Sequence, residues 1–240
     1  MSLRTRQVDA RRNRILDAAA LLIRHTGGTD FSMRSLAEAA ETSPATPYNL
    51  FTSKEGLLYA LLSRSLDEIT LQGLAFSSTD PLDRALEAAV KAADVFLLDP
   101  DFMRPLYRFL LGVVDLVHRP KFIERSLAYW RTALAAAEAE HLLSKDFDRD
   151  SLVYALMAHF MGVLDFWIHD DLDADAFRAR MVYGTVLLLL PLADETRQPR
   201  LLRRLREAKR VLTNDQPQMR STRVAIPIIR KARPKKEIHA

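Results

Sequence analysis

The chain has 240 residues, 48% of them hydrophobic, which is enough for one or two domains with a sizeable core. It contains no cysteine, which excludes disulfides, thiol nucleophiles and cysteine-based zinc sites. The N-terminus is basic without an apolar signal core, and the longest apolar runs are too short to span a bilayer. We therefore expect a soluble protein of the cytoplasm.

Charge is distributed unevenly along the chain, although the formal net charge is only +4. Residues 1–64 carry a net charge of +3, residues 65–196 carry −10 and residues 197–240 carry +11. Basic segments attract a polyanion such as DNA, and an acidic segment repels one. The two ends, rather than the middle, are therefore the candidate nucleic-acid surfaces.

The N-terminus begins with a basic segment. We expect residues 1–10 to be an irregular arm whose Arg4 and Arg6 either contact DNA or simply stay solvated. A first helix follows, from about Val8 to His25, and Gly27-Gly28 ends it because glycine tolerates the left-handed exit of a helix.

The stretch from Phe31 to Leu62 reads as three helical pieces. Ser32 is a good N-cap for a short helix, MRSLAEAA, and the polar residues 41–43 form a turn before a second short helix, PATPYNLF. Thr52 and Glu55 have the spacing of a capping box that opens a longer third helix. Two short helices across a tight turn, backed by a longer one, describe a helix-turn-helix.

The second short helix of such a motif can lie in a major groove, while neighbouring groups hold phosphates. The alternative is a generic helical hairpin. The start of this helix is ambiguous, because it begins either at Pro44 after a Ser43 cap or at Pro47 after a Thr46 cap. The predicted DNA contacts are Ser32, Arg34, Ser43, Pro44, Ala45, Thr46, Tyr48, Asn49 and Lys54.

Residues 11–62 resemble the DNA-binding domain of the TetR family of bacterial transcriptional regulators. The elements that carry the resemblance are an Ala- and Leu-rich first helix, Gly28 before Phe31, Leu36-Ala37, and the block Tyr48–Leu57 with the sequence YNLFTSKEGL. The resemblance implies a homodimer that binds a pseudo-palindromic operator in double-stranded DNA. It covers about the first quarter of the chain.

The remainder of the chain predicts helices only, because period-two alternation is scarce. We expect helix 5 from Pro81 with Asp80 as cap, and four more at Phe102–His118, Pro120–Leu143, Ser151–His169 and Ala176–Leu192. The fold class is all-α with about nine helices. The predicted domains are the arm 1–10, the helix-turn-helix domain 11–74, a ligand-binding and dimerisation domain 80–196, and a basic tail 197–240 that holds a short amphipathic helix and is otherwise largely disordered.

The middle domain shows no catalytic motif and no cofactor motif. Asp165 and His169 share a helix face, but no third metal ligand is visible, so we predict neither a catalytic residue nor a metal site. The resemblance implies an apolar pocket for a small hydrophobic ligand and dimerisation through helices 8 and 9. The candidate pocket residues are Phe102, Tyr107, Leu110, Trp130, His159 and Trp167.

Taken together, these features predict a repressor that a small ligand releases from its operator. The first alternative is a DNA binder of the same fold without a small-molecule switch, controlled by a protein partner. The second is an all-α enzyme or lipid carrier with an incidental helix-turn-helix. The basic tail either contacts DNA, a membrane surface or a partner, or is a solubilising extension.

Overall fold

A computed structural model describes residues 3–142 and 148–214. Within these ranges the chain forms ten α-helices, one 3-10 helix and no strand, which confirms the all-α prediction. The helices are α1 (Leu3–Thr26), α2 (Met33–Ala39), α3 (Ala45–Phe51), α4 (Lys54–Gly73), α5 (Pro81–Leu98), α6 (Pro100–Gly112), α7 (Arg119–Ala139), α8 (Arg149–Ile168), α9 (Ala174–Leu189) and α10 (Gln198–Asn214).

Helices α1 to α3 and the first half of α4 form the N-terminal head. The buried face of α1, with Ile15, Ala19 and Ile23, packs in the same core as Leu36 of α2 and Leu57 of α4. The first helix begins at Leu3 instead of Val8, so the expected irregular arm is wrong from that residue onward. No glycine or proline precedes residue 27, and extending an existing helix by one residue costs little free energy. The helix therefore continues into the basic segment.

The helix-turn-helix is present, and its second helix begins at Ala45, next to the first of the two alternatives but with Pro44 rather than Ser43 at the cap position. Pro44 has helical dihedral angles, φ −56° and ψ −27°, and α3 continues from Ala45. The Ser43 carbonyl accepts a hydrogen bond from the N–H of Thr46 at 2.9 Å. Pro47 is tolerated because it lies in the first turn, where backbone N–H groups have no partner within the helix.

The cap of α4 differs from the prediction. Ser53, rather than Thr52, is the N-cap, and its hydroxyl accepts from the N–H of Gly56 at 3.1 Å. Thr52 has φ 68°, in the left-handed region that non-glycine residues rarely adopt. The predicted capping box between Thr52 and Glu55 is therefore wrong, because the chain reverses at Thr52 before the helix begins.

The second half of α4 and helices α5 to α10 form the middle domain. Helix α5 lies at its centre, in contact with α4, α7 and α9, while α8 packs between α7 and α9 and α10 packs on α9. Asp80 caps α5 as predicted, accepting from the N–H groups of Leu82 and Asp83. The head is joined to this domain through α4 and through an ion pair between Arg24 of α1 and Asp99, 2.5 Å apart.

Helix α6 ends at Gly112 rather than at the predicted His118, and Val113 and Val117 beyond it are exposed. The Asp115 carboxylate accepts from the N–H groups of Val117 and His118 at 2.8 and 2.6 Å. A short polar side chain that bonds the backbone in this way competes with helix formation. The result is a loop with exposed aliphatic side chains between α6 and α7.

The last predicted helices differ from the structure mainly at their ends. Helix α7 ends at Ala139, and the predicted end at Leu143 lies outside the described residues. Helix α9 ends at Leu189 and passes into a 3-10 turn, Leu190–Leu192, at Pro191. The short amphipathic helix expected in the tail is present as α10. The tail beyond it, residues 215–240, lies outside the described residues.

Within the described ranges, one helix, α8, is long enough and apolar enough to cross a membrane by length and composition. The short apolar runs in the sequence had led us to expect none. Its buried residues, such as Leu156 and Leu164, pack inside the domain, and its opposite side exposes Tyr154 and Phe166. A helix that is apolar on both sides is typical of one that packs on both sides. Its buried side therefore belongs to the core of the domain, while its outer side is exposed in the described chain.

Candidate DNA interface and inner cavity

Helix α3 has one buried and one exposed side. Pro47 and Phe51 are buried against the rest of the head. Pro44, Ala45, Tyr48 and Asn49 are exposed, and Thr46 is half-buried with its hydroxyl 2.8 Å from that of Ser43. The predicted contact residues on α3 therefore form one continuous outer surface.

Arg12 of α1 holds the C-terminal end of α3. Its guanidinium donates to the Leu50 carbonyl at 3.1 Å and lies 4.4 Å from the centre of the Phe51 ring. The neighbouring cations Arg11 and Arg14, and Arg6 one turn earlier, are exposed. Helix α1 thus uses one arginine to position α3 and presents three to solvent.

The remaining predicted contacts lie at the N-termini of α2 and α4. The hydroxyl of Ser32 accepts from the N–H of Ser35 at 3.0 Å, which caps α2. Lys54, in the first turn of α4, has its Nζ atom 5.2 Å from the ring centre of Phe31, the residue before that cap. Arg34 is exposed and lies 3.3 Å from Glu38, one turn along α2. Two helix N-termini and a lysine therefore converge beside α3, an arrangement suited to binding phosphate.

In the middle domain, side chains of α4, α5, α6, α7 and α8 line a small apolar cavity of about 40 Å³, named here the inner cavity. Two of the predicted pocket residues, Tyr107 and Trp130, line it. The sequence analysis missed the other lining residues, which are Leu66, Ile69, Ala92, Phe96, Phe122, Ser126, Tyr129, Met157, Phe160 and Met161. A spacing of three or four residues marks the inner face of each helix but cannot tell which inner residues border a gap.

The other predicted pocket residues lie elsewhere in the domain. Phe102 packs under the Arg24 guanidinium at the junction with the head, and Trp167 stacks on Phe177 with centroids 5.1 Å apart. Leu110 is fully buried in the core. His159 lies at the contact of α8 and α9, where its ring fills the space beside Gly184, and burial lowers its pKa.

Two tyrosine hydroxyls fix the walls of the inner cavity. The Tyr107 hydroxyl is 3.1 Å from the Ser65 hydroxyl of α4, and the Tyr129 hydroxyl donates to the Ala88 carbonyl of α5 at 2.7 Å. Burial raises the pKa of both tyrosines, so both stay neutral. Tyr129 also fills the space beside Gly73 of α4, where a Cβ atom would lie 2.1 Å from its oxygen. The cavity wall is thus in direct contact with α4.

No group of three or more His, Asp and Glu side chains in the described ranges is arranged to hold a metal ion. The pair noted in the sequence, Asp165 and His169, lies at the end of α8. His169 Nδ1 is 2.8 Å from the Asp165 carbonyl, as expected of a histidine that caps a helix end.

The outer faces of α8 and α9 carry exposed apolar side chains. Tyr154 and Phe166 are more than half exposed and Leu187 nearly so. Between the two aromatic residues, Ala158 and Gly162 keep the surface of α8 low, and no atom lies within 4 Å of a Cβ placed at Gly162. Exposed apolar side chains that cluster on one face of a protein often mark an interaction surface.

Comparisons with known proteins identify the head. Residues 15–61 match the model of the family described as bacterial regulatory proteins, tetR family. Over 74 residues the chain is 38% identical to the HTH-type transcriptional repressor KstR of Rhodococcus jostii (strain RHA1). That alignment covers 31% of this chain and 35% of KstR, so it spans about a third of each protein.

The fold of almost the whole described chain is also found in solved structures. A TetR transcriptional regulator from Rhodococcus sp. RHA1 superposes with a TM-score of 0.62 at 22% identity, over 77% of this chain and 98% of that one. The TetR regulator TylP from Streptomyces fradiae superposes with a TM-score of 0.62 at 18% identity, over 87% of this chain and 98% of TylP. At these identities the likeness establishes the fold, a helix-turn-helix head on a helical domain.

Proposed function

We propose that this chain, which belongs to the TetR family of bacterial regulators by its residues 15–61, is a transcriptional repressor that binds operator DNA through α3. The observation that carries the proposal is the outer surface of α3 beside two helix N-termini and Lys54. Tyr48 and Lys54 hold phosphates, and Thr46 and Asn49 face base edges in the major groove. The match of residues 15–61 to this family and the likeness to a transcriptional repressor favour the proposal over an enzyme with an incidental helix-turn-helix.

The proposed repressor is a homodimer of the cytoplasm that pairs through α8 and α9. Support comes from the exposed Tyr154, Phe166 and Leu187 and from the low surface at Gly162. A two-fold dimer places two copies of α3 in successive major grooves of a pseudo-palindromic site. Phe166→Asp should shift the protein to monomer in analytical ultracentrifugation, whereas Leu71→Asp, on the exposed side of α4, should not.

Release by a small apolar ligand is proposed for the inner cavity. Its wall of aromatic and methionine side chains suits an uncharged apolar molecule, and Met157 and Met161 can change rotamer to enlarge it. Tyr107 and Tyr129 connect this wall to α4, which continues into the head. A ligand that displaces them would move the head and lower DNA affinity, and DNA would lower ligand affinity by the same factor.

A second candidate, a repressor without a small-molecule switch, is favoured by one observation. The inner cavity has a volume of about 40 Å³, whereas pockets for drug-sized ligands measure about 300–1,000 Å³. In that case a protein partner controls DNA binding. Native mass spectrometry of the purified dimer separates the two, because a co-purified small molecule supports the switch and its absence, with no thermal shift by apolar compounds, supports the second candidate.

The proposed DNA binding is tested by selecting fragments from a genomic library with the full-length protein. An enriched pseudo-palindrome is expected, bound more weakly as salt rises from 50 to 200 mM. With about six phosphate contacts, affinity should fall about a thousandfold over that range. No enriched sequence and no salt-dependent binding would contradict the proposal.

A further inference from the structure

A groove between α5, α9 and α10 lies outside the core and has a volume of about 740 Å³. Aliphatic side chains form its floor, namely Leu86, Val90, Ala179, Val182, Ala208 and Val211. Ser77 and eight charged side chains line the rest, the charged ones being Asp83, Glu87, Lys91, Asp94, Asp175, Arg178, Arg204 and Glu207. The groove, named here the α5/α9/α10 groove, therefore suits an apolar segment with polar ends.

The charges around the α5/α9/α10 groove are predominantly negative, with five carboxylates against three cations. Arg178 is 2.6 Å from Asp94 and Lys91 is 3.6 Å from Glu87, so these cations are already paired. Asp175 and Glu207 each lie 3.8 Å from a cation, Arg178 and Arg204, and their side chains stay 84% and 51% exposed. A segment that carries positive charge on both sides of an aliphatic run would complement this surface.

The chain itself contains one such segment. Val224–Ile229, with the sequence VAIPII, follows Arg220 and Arg223 and precedes Arg230 and Lys231. From 220 to 231 the segment carries four cations and no carboxylate. Proline at 227 disfavours helix and favours extended backbone in the residue before it.

We propose that residues 220–231 of the same chain dock in the α5/α9/α10 groove, with Val224–Ile229 over the aliphatic floor and the flanking cations beside the carboxylates. Burying the aliphatic run removes it from water, and the cations meet Asp175 and Glu207 at the rim. The inference goes beyond the proposed DNA binding and does not depend on it.

The lengths of groove and segment agree. From Asp83 to Asp94 the groove follows α5 for about 17 Å, and a six-residue extended run spans about 20 Å. Helix α10 lies along the groove, with Arg200 in an ion pair with Asp80 near the start of α5 and Val211 lining the groove close to the end of α10. Residues 215–223 can bridge about 30 Å, which is enough to bring the segment back over the groove from Asn214.

Tethering favours the chain's own segment over other occupants. A segment joined to the groove by nine residues has an effective concentration in the millimolar range, far above that of a free partner. Docking a short apolar run therefore needs only weak intrinsic affinity. A second copy of the chain or a free organic cation would lack this advantage.

The absence of cysteine gives a direct test in the full-length protein, because any disulfide formed is the introduced one. The first double variant, Val90→Cys with Ile226→Cys, would link α5 in the groove floor to the segment. The second, Val182→Cys with Ile226→Cys, would link α9 to the same position of the segment. Leu21→Cys with Ile226→Cys is the matched control, on the exposed side of α1 in the head. Oxidation of dilute protein is followed on non-reducing gels and by mass spectrometry.

We expect both groove pairs to form an intramolecular disulfide at least tenfold faster than the control pair. Asp175→Asn with Glu207→Gln, or added salt, should slow the groove pairs and leave the control unchanged. Equal rates at groove and head would overturn the proposal. Disulfides between chains at the groove would also overturn it, because a second copy would then be the occupant. DNA binding of the unoxidised variants is measured separately, so that failure of the docking proposal can be distinguished from failure of the proposed repressor function.

Discussion

The Ser65 hydroxyl of α4 and the Tyr107 hydroxyl of α6 lie 3.1 Å apart in the buried core, and Ser65 also donates to the Leu62 carbonyl at 2.8 Å. Ser65 therefore acts as acceptor toward Tyr107, which donates. Tyr107 borders the inner cavity, while α4 continues into the head. This hydrogen bond is thus a direct polar contact between the cavity wall and the helix that carries Lys54.

Tyr107→Phe should lower the free energy of unfolding by about 1 kcal/mol, since it leaves the Ser65 oxygen with one bond fewer. Ser65→Ala should cost a similar amount, and the double variant should cost less than the sum of the two, as urea unfolding measures. Tyr129→Phe is the control, because its hydroxyl bonds Ala88 instead and should add independently to Ser65→Ala. Strict additivity of Tyr107→Phe and Ser65→Ala would contradict the bond.

Arg12 and Arg11 are neighbours in sequence with different roles in the structure. Arg12→Ala should lower the free energy of unfolding by about 1–2 kcal/mol, because it removes the hydrogen bond to Leu50 and the contact with the Phe51 ring. Arg11→Ala, at an exposed site, should change it by less than about 0.5 kcal/mol. Chemical unfolding compares the two, and equal effects would reject the positioning role of Arg12.

Two helix starts with a capping side chain were readable from the sequence, and helix ends were less so. Ser32 and Asp80 cap as expected, because a capping side chain bonds within its own few residues. Helix α6 stops early because Asp115 offers the backbone a competing turn, which periodicity does not reveal. Thr52 likewise shows that a sequence match to a capping box does not fix which hydroxyl caps.

The outer surface of α3 could be predicted, whereas the inner cavity could not. Pro47 and Phe51 must face the core, which leaves Ala45, Tyr48 and Asn49 outside. The cavity depends on how side chains from five helices fit together, so only Tyr107 and Trp130 were found among its walls. Local pattern determines which side of a helix is buried, and three-dimensional packing determines where space remains.

Asp115 should make stability depend on acidity. Burial raises its pKa, but hydrogen bonds from the backbone of His118, the ring of His118 and the backbone of Val117 outweigh burial and lower it to about 2, from an unfolded value of 3.8. A carboxyl with a depressed folded pKa stabilises the fold above the unfolded value and loses that contribution as the pH falls from about 4 to 2.

Asp115→Asn should therefore flatten the dependence of unfolding free energy on pH between about 4 and 2, as measured by urea unfolding at each pH. Asp101→Asn, at an exposed position in the first turn of α6, is the matched control. A wild-type profile that is already flat over this range would reject the role assigned to Asp115.

Gly73 is required by its contact with Tyr129 rather than by its backbone conformation. Gly73→Ala should be destabilising by about 1–3 kcal/mol, since the new Cβ would overlap the buried hydroxyl, and this outweighs the better helix propensity of alanine. Gly112→Ala, where no atom lies within 4 Å, should be close to neutral. Thermal unfolding compares the two, and a stabilising Gly73→Ala would show that Tyr129 has room to move.

Lys54 and Asn49 should affect DNA binding in different ways, which separates phosphate contact from base reading. Lys54→Ala should weaken binding to the selected operator and to random DNA alike, and should reduce the slope of log affinity against log salt by about one per head. Asn49→Ala should weaken operator binding by about 1–3 kcal/mol and leave random DNA unchanged, because base contacts carry the discrimination.

Fluorescence anisotropy over a salt series measures both effects on the same two duplexes. Arg149→Ala, on α8 and paired with Glu138, is the control for loss of positive charge outside the head. If Asn49→Ala reduces operator and random binding equally, α3 does not read bases at that position. If Lys54→Ala leaves the slope of log affinity against log salt unchanged, the DNA phosphate does not lie between α2 and α4. The exposed Arg6, Arg11 and Arg14 of α1 are then the next residues to neutralise.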